Sequence, residues 1–343
     1  MRKMKKVMAA MLAATMALSM GMTAFAEVDN EGGTTPTETP TYKDIEEIDL
    51  QKLYKITNDG TVNPAETFYF TIEKVDVTDS QYTTDNMPMP SFTKGEEDTT
   101  GEISFTSGEA NKDGDTNSAK LYLPRYDKVG IFTYKITETP GNTAGVAYDS
   151  KDMYLKVTVI EQDGLVRVAY LHYESANGTK EKWFENEYSA GDLSVSKSVD
   201  GIMGDKTKYF KFTITLTGVT GKSYENAYAV EGGSYEANPK TIAIGTPTEF
   251  YLKDTDTITI KNLPYNVTYT VTEDSEDYTP EFTWSDEANK KIDSPLDTVS
   301  VKNTKGGTVD TGINLDNAPY ILLLVIAALG MFGFVSKKRS SEF

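Results

Sequence analysis

Cysteine is absent from all 343 residues, so no disulfide can brace the fold and no thiolate can act as nucleophile or metal ligand. Histidine occurs once, as His172, which excludes His-rich metal sites and leaves only one possible His-dependent triad. Its neighbours Val168-Ala169-Tyr170-Leu171 and Tyr173 read as a strand, where it is an ordinary sheet residue. Positive charge is scarce: 34 Lys and Arg against 52 Asp and Glu give a formal net charge of −18. Both chain ends are net positive, so the body between them is more acidic still. Such a surface repels nucleic acid and anionic membranes. Between the ends no segment keeps a helical period, and neither a phosphate-cradling glycine loop nor a nucleophile elbow occurs. Asp113-Gly114-Asp115-Thr116-Asn117 opens like a calcium loop, but Ser118 stands where glycine is required and Pro124 where the bidentate glutamate belongs, so it reads as a solvated turn. No cofactor, no metal and no turnover enzyme are expected.

The ends are informative. Residues 1–26 combine a basic start (Arg2, Lys3, Lys5, Lys6), an apolar stretch from Val7 to Met20 and the small residues Ala24 and Ala26. This is the pattern of a secretory signal peptide cleaved after Ala26, which places the mature chain outside the cytoplasm. Residues 27–43, rich in Thr, Pro, Gly and Glu, read as a flexible leader. At the other end, residues 305–343 contain an uncharged apolar run, 318–335, followed by Lys337, Lys338 and Arg339; it is just long enough to span a bilayer. Ahead of that run lies Thr308-Val309-Asp310-Thr311-Gly312. A Thr-Gly pair, an apolar run and a basic tail resemble the sorting signal of sortases, which cut between Thr (here Thr311) and Gly (Gly312) and join the Thr to an amine. The usual proline is missing from the pentapeptide, so the sortase class stays open. On this reading the membrane is touched only transiently through the tail; the other reading is a permanent C-terminal anchor. Both put the body of the protein outside.

Between leader and tail, short alternating runs rich in Val, Ile, Thr, Tyr and Phe are separated by Gly, Asn, Asp and Pro, which predicts an all-β chain of two tandem β-sandwich domains. A repeat divides them. Phe68-Tyr69-Phe70-Thr71-Ile72 recurs as Phe210-Lys211-Phe212-Thr213-Ile214, and Tyr134-Lys135-Ile136-Thr137-Glu138 as Tyr269-Thr270-Val271-Thr272-Glu273. The expected domains are therefore 44–188 and 189–304.

Alternation along a strand tells which residues face the core. Lys52 shares a face with Leu50 and Tyr54, and Lys197 with Val195 and Val199. Glu138 ends the face of Phe132, Tyr134 and Ile136, as Glu273 ends that of Val267, Tyr269 and Val271. Asn186 keeps the parity of Phe184 and Tyr188, and Asn303 that of Val299 and Val301. A lysine, a glutamate and an asparagine thus point inward, in the same order, in both copies. A buried lone charge or unpaired amide is costly, so the three groups should meet. Burial lowers the lysine pKa and raises that of the glutamate. The neutral amine can then attack the asparagine carboxamide while the glutamate moves protons and ammonia leaves. A buried Lys–Glu ion pair with a hydrogen-bonded Asn is the alternative.

The stretch Gly130 to Ser150, with Tyr134-Lys135-Ile136-Thr137-Glu138 and Ala144-Gly145-Val146-Ala147-Tyr148-Asp149-Ser150, resembles the major-pilin (pilus shaft) family of Gram-positive bacteria. Phe184-Glu185-Asn186, Leu193-Ser194-Val195-Ser196-Lys197 and Tyr269-Thr270-Val271-Thr272-Glu273 match it in order and spacing. The resemblance implies tandem immunoglobulin-like domains, with bonds from Lys52 to Asn186 assisted by Glu138 and from Lys197 to Asn303 assisted by Glu273. It also implies a pilus or cell-wall location, with sortase, other pilin subunits and peptidoglycan as partners. Family shafts polymerise through a surface lysine; here the matching region offers Lys180 and Lys182, which otherwise read as plain surface lysines. The competing function is a monomeric wall-anchored adhesin that binds a host glycan or protein.

Overall fold

The computed structural model describes residues 44–307. The expected signal peptide and leader, Thr311-Gly312 and the apolar run 318–335 lie outside the described residues. Every regular element within them is a strand. In chain order these are β1 (Glu47–Ile56), β2 (Glu66–Thr78), β3 (Thr100–Phe105), β4 (Asp115–Tyr122), β5 (Gly130–Thr139), β6 (Val146–Ala147), β7 (Asp152–Gln162), β8 (Leu165–Glu174) and β9 (Trp183–Tyr188). After Ser189 alone come β10 (Ala190–Asp200), β11 (Phe210–Thr217), β12 (Tyr228–Gly232), β13 (Thr241–Ile242), β14 (Thr248–Leu252), β15 (Thr257–Pro264), β16 (Thr268–Asp274), β17 (Thr279–Trp284) and β18 (Leu296–Thr304).

Two sheets make each domain, in orders β4-β1-β9-β6 and β3-β2-β5-β7-β8 in the first, and β13-β12-β15-β10-β18-β17 and β14-β11-β16 in the second. The strands form because β-branched and aromatic residues alternate with polar ones. In β5 every other residue from Gly130 to Glu138 is buried, and β11 does the same from Phe210 to Leu216. Each domain closes its own core. Tyr54, Phe68 and Phe105 meet edge to face in the first, with centroids 5.1–5.9 Å apart; Phe210, Phe212, Ile214 and Phe250 anchor the second.

The connection that matters most is rare among neighbouring antiparallel strands. In each domain the first and last strands lie side by side and parallel: β1 on β9, and β10 on β18. A parallel pair needs a long crossover, here the whole remaining domain. Consequently the chain enters and leaves each sandwich along one seam.

At the junction the domains are stitched by backbone as well as side chains. Ala144 N donates to Ser223 O and Ser223 N to Asn142 O, both at 2.9 Å. The Asn262 side chain accepts from Val62 N at 2.9 Å and donates to Val62 O at 2.7 Å, and Asn58 Nδ2 donates to Tyr265 Oη at 2.8 Å. Gly145 turns the chain here with φ +81°, and a Cβ on it would lie 2.7 Å from both Ser189 O and Tyr188 Cε2. Gly60 has a similar φ of +85° but open space around it. Gly145→Ala therefore combines left-handed strain with a backbone clash, whereas Gly60→Ala carries strain alone. The expected result is a further destabilisation by Gly145→Ala of about 1–3 kcal/mol, read as a lower thermal midpoint of the first domain; equal shifts for the two variants would contradict this account of the junction.

Candidate functional site

Each core holds a Lys–Glu–Asn set of side chains withdrawn from water. In the first domain Lys52 on β1, Glu138 on β5 and Asn186 on β9 are 0%, 2% and 1% exposed. Lys52 Nζ donates to Glu138 Oε2 at 2.6 Å and Asn186 Nδ2 donates to Glu138 Oε1 at 2.5 Å. One carboxyl group thus holds both partners on separate oxygens. The carboxamide oxygen is engaged too, for Asp149 N donates to Asn186 Oδ1 at 2.6 Å. Asp149 is itself fixed, its carboxylate accepting from Glu185 N at 2.9 Å and Lys151 N at 3.0 Å. Aromatic rings complete the walls: Lys52 Nζ lies 4.7 Å from the Phe68 centroid and 6.0 Å from that of Phe184.

The second domain repeats the plan on equivalent elements. Lys197 on β10, Glu273 on β16 and Asn303 on β18 meet in its core, with Lys197 Nζ 2.7 Å from Glu273 Oε1 and both side chains 0% exposed. Here too phenylalanines flank the amine, Phe210 at 4.4 Å and Phe212 at 5.8 Å. The registers coincide. Asn186 pairs with Tyr54, two residues beyond Lys52, and Asn303 with Val199, two beyond Lys197; Glu138 pairs with Phe70 and Glu273 with Phe212.

The two sites differ in how completely their polar atoms are served. Lys197 Nζ reaches ion-pair distance of Glu273 but makes no directed hydrogen bond. Asn303 Nδ2 donates to the same Glu273 Oε1 at 3.2 Å, which leaves Oε2 without a partner. Asn303 Oδ1 also has no donor.

Burial dominates the electrostatics. It drives the Lys52 amine down from its ordinary 10.5 to about 8, against the pull of Glu138, and pushes the Glu138 carboxyl up, against the pull of Lys52. Lys197 is lowered and Glu273 raised for the same reason. Each pair is therefore poised to exchange its charged form for a neutral amine beside a neutral acid. That form can react: Nζ adds to Cγ of the asparagine, the carboxyl group relays a proton from Nζ to Nδ2, and Nδ2 leaves as ammonia. In the first site the Asp149 N–H is aimed at the oxygen on which negative charge develops. Alternation along strands cannot reveal this donor, because it lies in the segment after β6.

The other residues singled out lie elsewhere. Lys180 and Lys182, in the segment between β8 and β9, are exposed, their amines 5.8 Å and 4.3 Å from the Tyr170 and Trp183 ring centres. His172 sits in β8 with Nε2 3.1 Å from Glu174 Oε2, remote from both triads in the sheet order. Thr311 and Gly312 are outside the described residues.

Paired β-sandwiches, each with a Lys–Glu–Asn triad withdrawn from water in its core, are the class of structure that the fold and the site define. Residues 42–189 match the family model of a Spy0128-like isopeptide containing domain, and residues 191–305 match a domain of unknown function, DUF7601. A pilin of Streptococcus pyogenes serotype M1 is 32% identical over 242 residues, which cover 63% of this chain and 69% of that protein. The pilus tip adhesin Cpa of Streptococcus pyogenes is 30% identical over 129 residues, 36% of this chain and 18% of its own. The crystal structure of the major pilin from Streptococcus pyogenes shares the fold, with a TM-score of 0.50 at 24% identity over 76% of this chain and 99% of that one. The chain belongs to the pilin family. It is a structural pilus subunit of the cell surface, not an enzyme, and its partners include other pilin subunits.

Two outcomes are expected from the site. In a pulse of cell-free synthesis, Glu273→Ala, which keeps only the first triad, sheds its ammonia sooner than Glu138→Ala, which keeps only the second; time-resolved intact mass reads the order, and the reverse order contradicts the role given to the Asp149 N–H. The second concerns the unreacted pair. In Asn186→Ala the lysine cannot be consumed, and between pH 8 and about 9.5 the unfolded chain holds a proton on Lys52 that the folded chain has lost. Stability should therefore rise with pH across that window, by up to about 1.4 kcal/mol per pH unit, measured as the urea midpoint; a flat or falling midpoint contradicts a depressed Lys52.

Proposed function

We propose that this pilus-shaft subunit seals each of its domains, 44–188 and 189–304, with a self-formed amide bond, Lys52 to Asn186 under Glu138 and Lys197 to Asn303 under Glu273. The observation that carries this reading is the duplication of one geometry: a buried lysine on the first strand, a buried asparagine two register steps along on the parallel last strand, and one carboxyl group in reach of both. An ordinary buried ion pair needs no such repetition. The chemistry is a single intramolecular turnover and makes the chain no more an enzyme than before.

Attachment follows from the tail. A sortase cuts between Thr311 and Gly312 and passes Thr311 to an amine, either Lys180 or Lys182 of another subunit or a wall peptide of peptidoglycan. The apolar run 318–335 holds the chain in the membrane until then, after a signal peptide ending at Ala26 has directed export. A monomeric adhesin for a host glycan or protein is less well supported, since the match to a tip adhesin spans only 18% of that protein.

With both bonds closed, tension applied at the chain ends passes from β1 directly to β9 and from β10 to β18, and the residues between are shielded. Single-molecule pulling of the described body is expected to give no domain-unfolding steps. In the Glu138→Ala/Glu273→Ala variant the segments between each Lys and Asn are released, lengthening the chain by steps of roughly 440–480 Å and roughly 350–380 Å. Steps of that size in the parent protein would contradict the proposal.

A further inference from the structure

The described chain ends at Gly307, and Thr311 follows four residues later. Four residues span at most about 14 Å. On the reading that a sortase joins Thr311 to a lysine of the next copy, that lysine must come within this reach of Gly307, extended only by its own side chain. The surface around Gly307 is thereby brought against the neighbouring subunit.

That surface is apolar where solvent-facing turns are ordinarily polar. Ile202 is 80% exposed and Met203 57%, both on the turn between β10 and β11. The turn is fastened to the exit strand: Met203 N donates to Lys305 O at 3.2 Å, and a Cβ on Gly307 would stand 3.2 Å from Met203 Sδ. Beside it the ion pairs Lys208–Glu276 and Lys305–Asp277, each at 2.5 Å, supply a charged rim. An apolar centre within a charged rim is the usual anatomy of a protein contact. Across the proposed joint, Lys180 and Lys182 stand over the half-buried rings of Tyr170 and Trp183, a flank with apolar surface to offer.

We propose that the Ile202–Met203 turn is a docking contact for the first domain of a second copy of this chain, seated beside Tyr170 and Trp183 so that Thr311 is presented to Lys180 or Lys182. Two side chains bury far less than the roughly 1,000 Å² of a stable interface. The contact therefore orients the subunits, and the covalent bond holds them.

The test is carried out on the full chain in cells that assemble it, comparing wall extracts of the parent with Ile202→Asp/Met203→Asp and with Ile202→Leu/Met203→Leu, which keeps the apolar character. The expected result is a ladder of multimers from the parent and from the leucine variant, and single-subunit wall adducts alone from the aspartate variant. An undiminished ladder from the aspartate variant overturns the proposal. Loss of both ladder and wall adducts overturns it as well, by moving the contact to export, the membrane or the sortase. If the parent itself gives only single-subunit adducts, it is the polymerisation reading that fails, and the docking contact falls with it.

Discussion

A lysine ammonium cannot be left alone inside a β-sandwich. Withdrawing Lys52 and Lys197 completely from water costs several kcal/mol per ion, and breaking such a buried pair by removing one partner costs about 3–5 kcal/mol. The surrounding structure is organised by that constraint. Each lysine needs an acceptor, so a carboxyl group is buried with it; the carboxyl group's remaining oxygen needs a donor, and an asparagine amide supplies one in the first domain. The same low dielectric that makes the charged pair costly brings the amine and acid towards their neutral forms. An arrangement that is expensive as an ion pair becomes stable once converted to an amide, which carries no charge at all.

Topology decides what that conversion accomplishes. Because β1 and β9, and again β10 and β18, are parallel neighbours, a bond between them closes the domain where the chain enters and leaves. A bond between two consecutive strands would enclose only their hairpin. The single residue Ser189 between the seams, with its carbonyl accepting from Tyr265 N at 3.0 Å and its amide donating to Gly145 O at 2.9 Å, leaves little slack between one domain and the next. In a chain with no cysteine, such a bond would brace the fold covalently without depending on the redox state of the surroundings.

Much of this was legible in the sequence, and for a definite reason. Strand alternation is a strict period of two, so the inward facing of Lys52, Glu138 and Asn186, and of their counterparts, follows from the apolar residues at i±2. The all-β class follows from the same pattern. What alternation cannot report is anything set by the path of a loop. The Asp149 N–H on Asn186 depends on how the chain turns after β6, and the backbone bonds between Asn142, Ala144 and Ser223 join segments far apart in sequence. Nor could the repeat reveal that its copies are unequal. The unpartnered Asn303 Oδ1 and Glu273 Oε2 emerge only from the side-chain contacts of the second domain.

The central claim is that both triads are converted from side chains into amide bonds, and mass decides it most directly. The intact mass of the body from Glu27 to Thr311, measured beside Glu138→Ala and Glu273→Ala, should fall short of the sequence mass by two ammonia molecules in the parent and by one in each variant. A parent mass equal to that of the sequence would contradict the account and leave Lys52–Glu138 and Lys197–Glu273 as buried ion pairs.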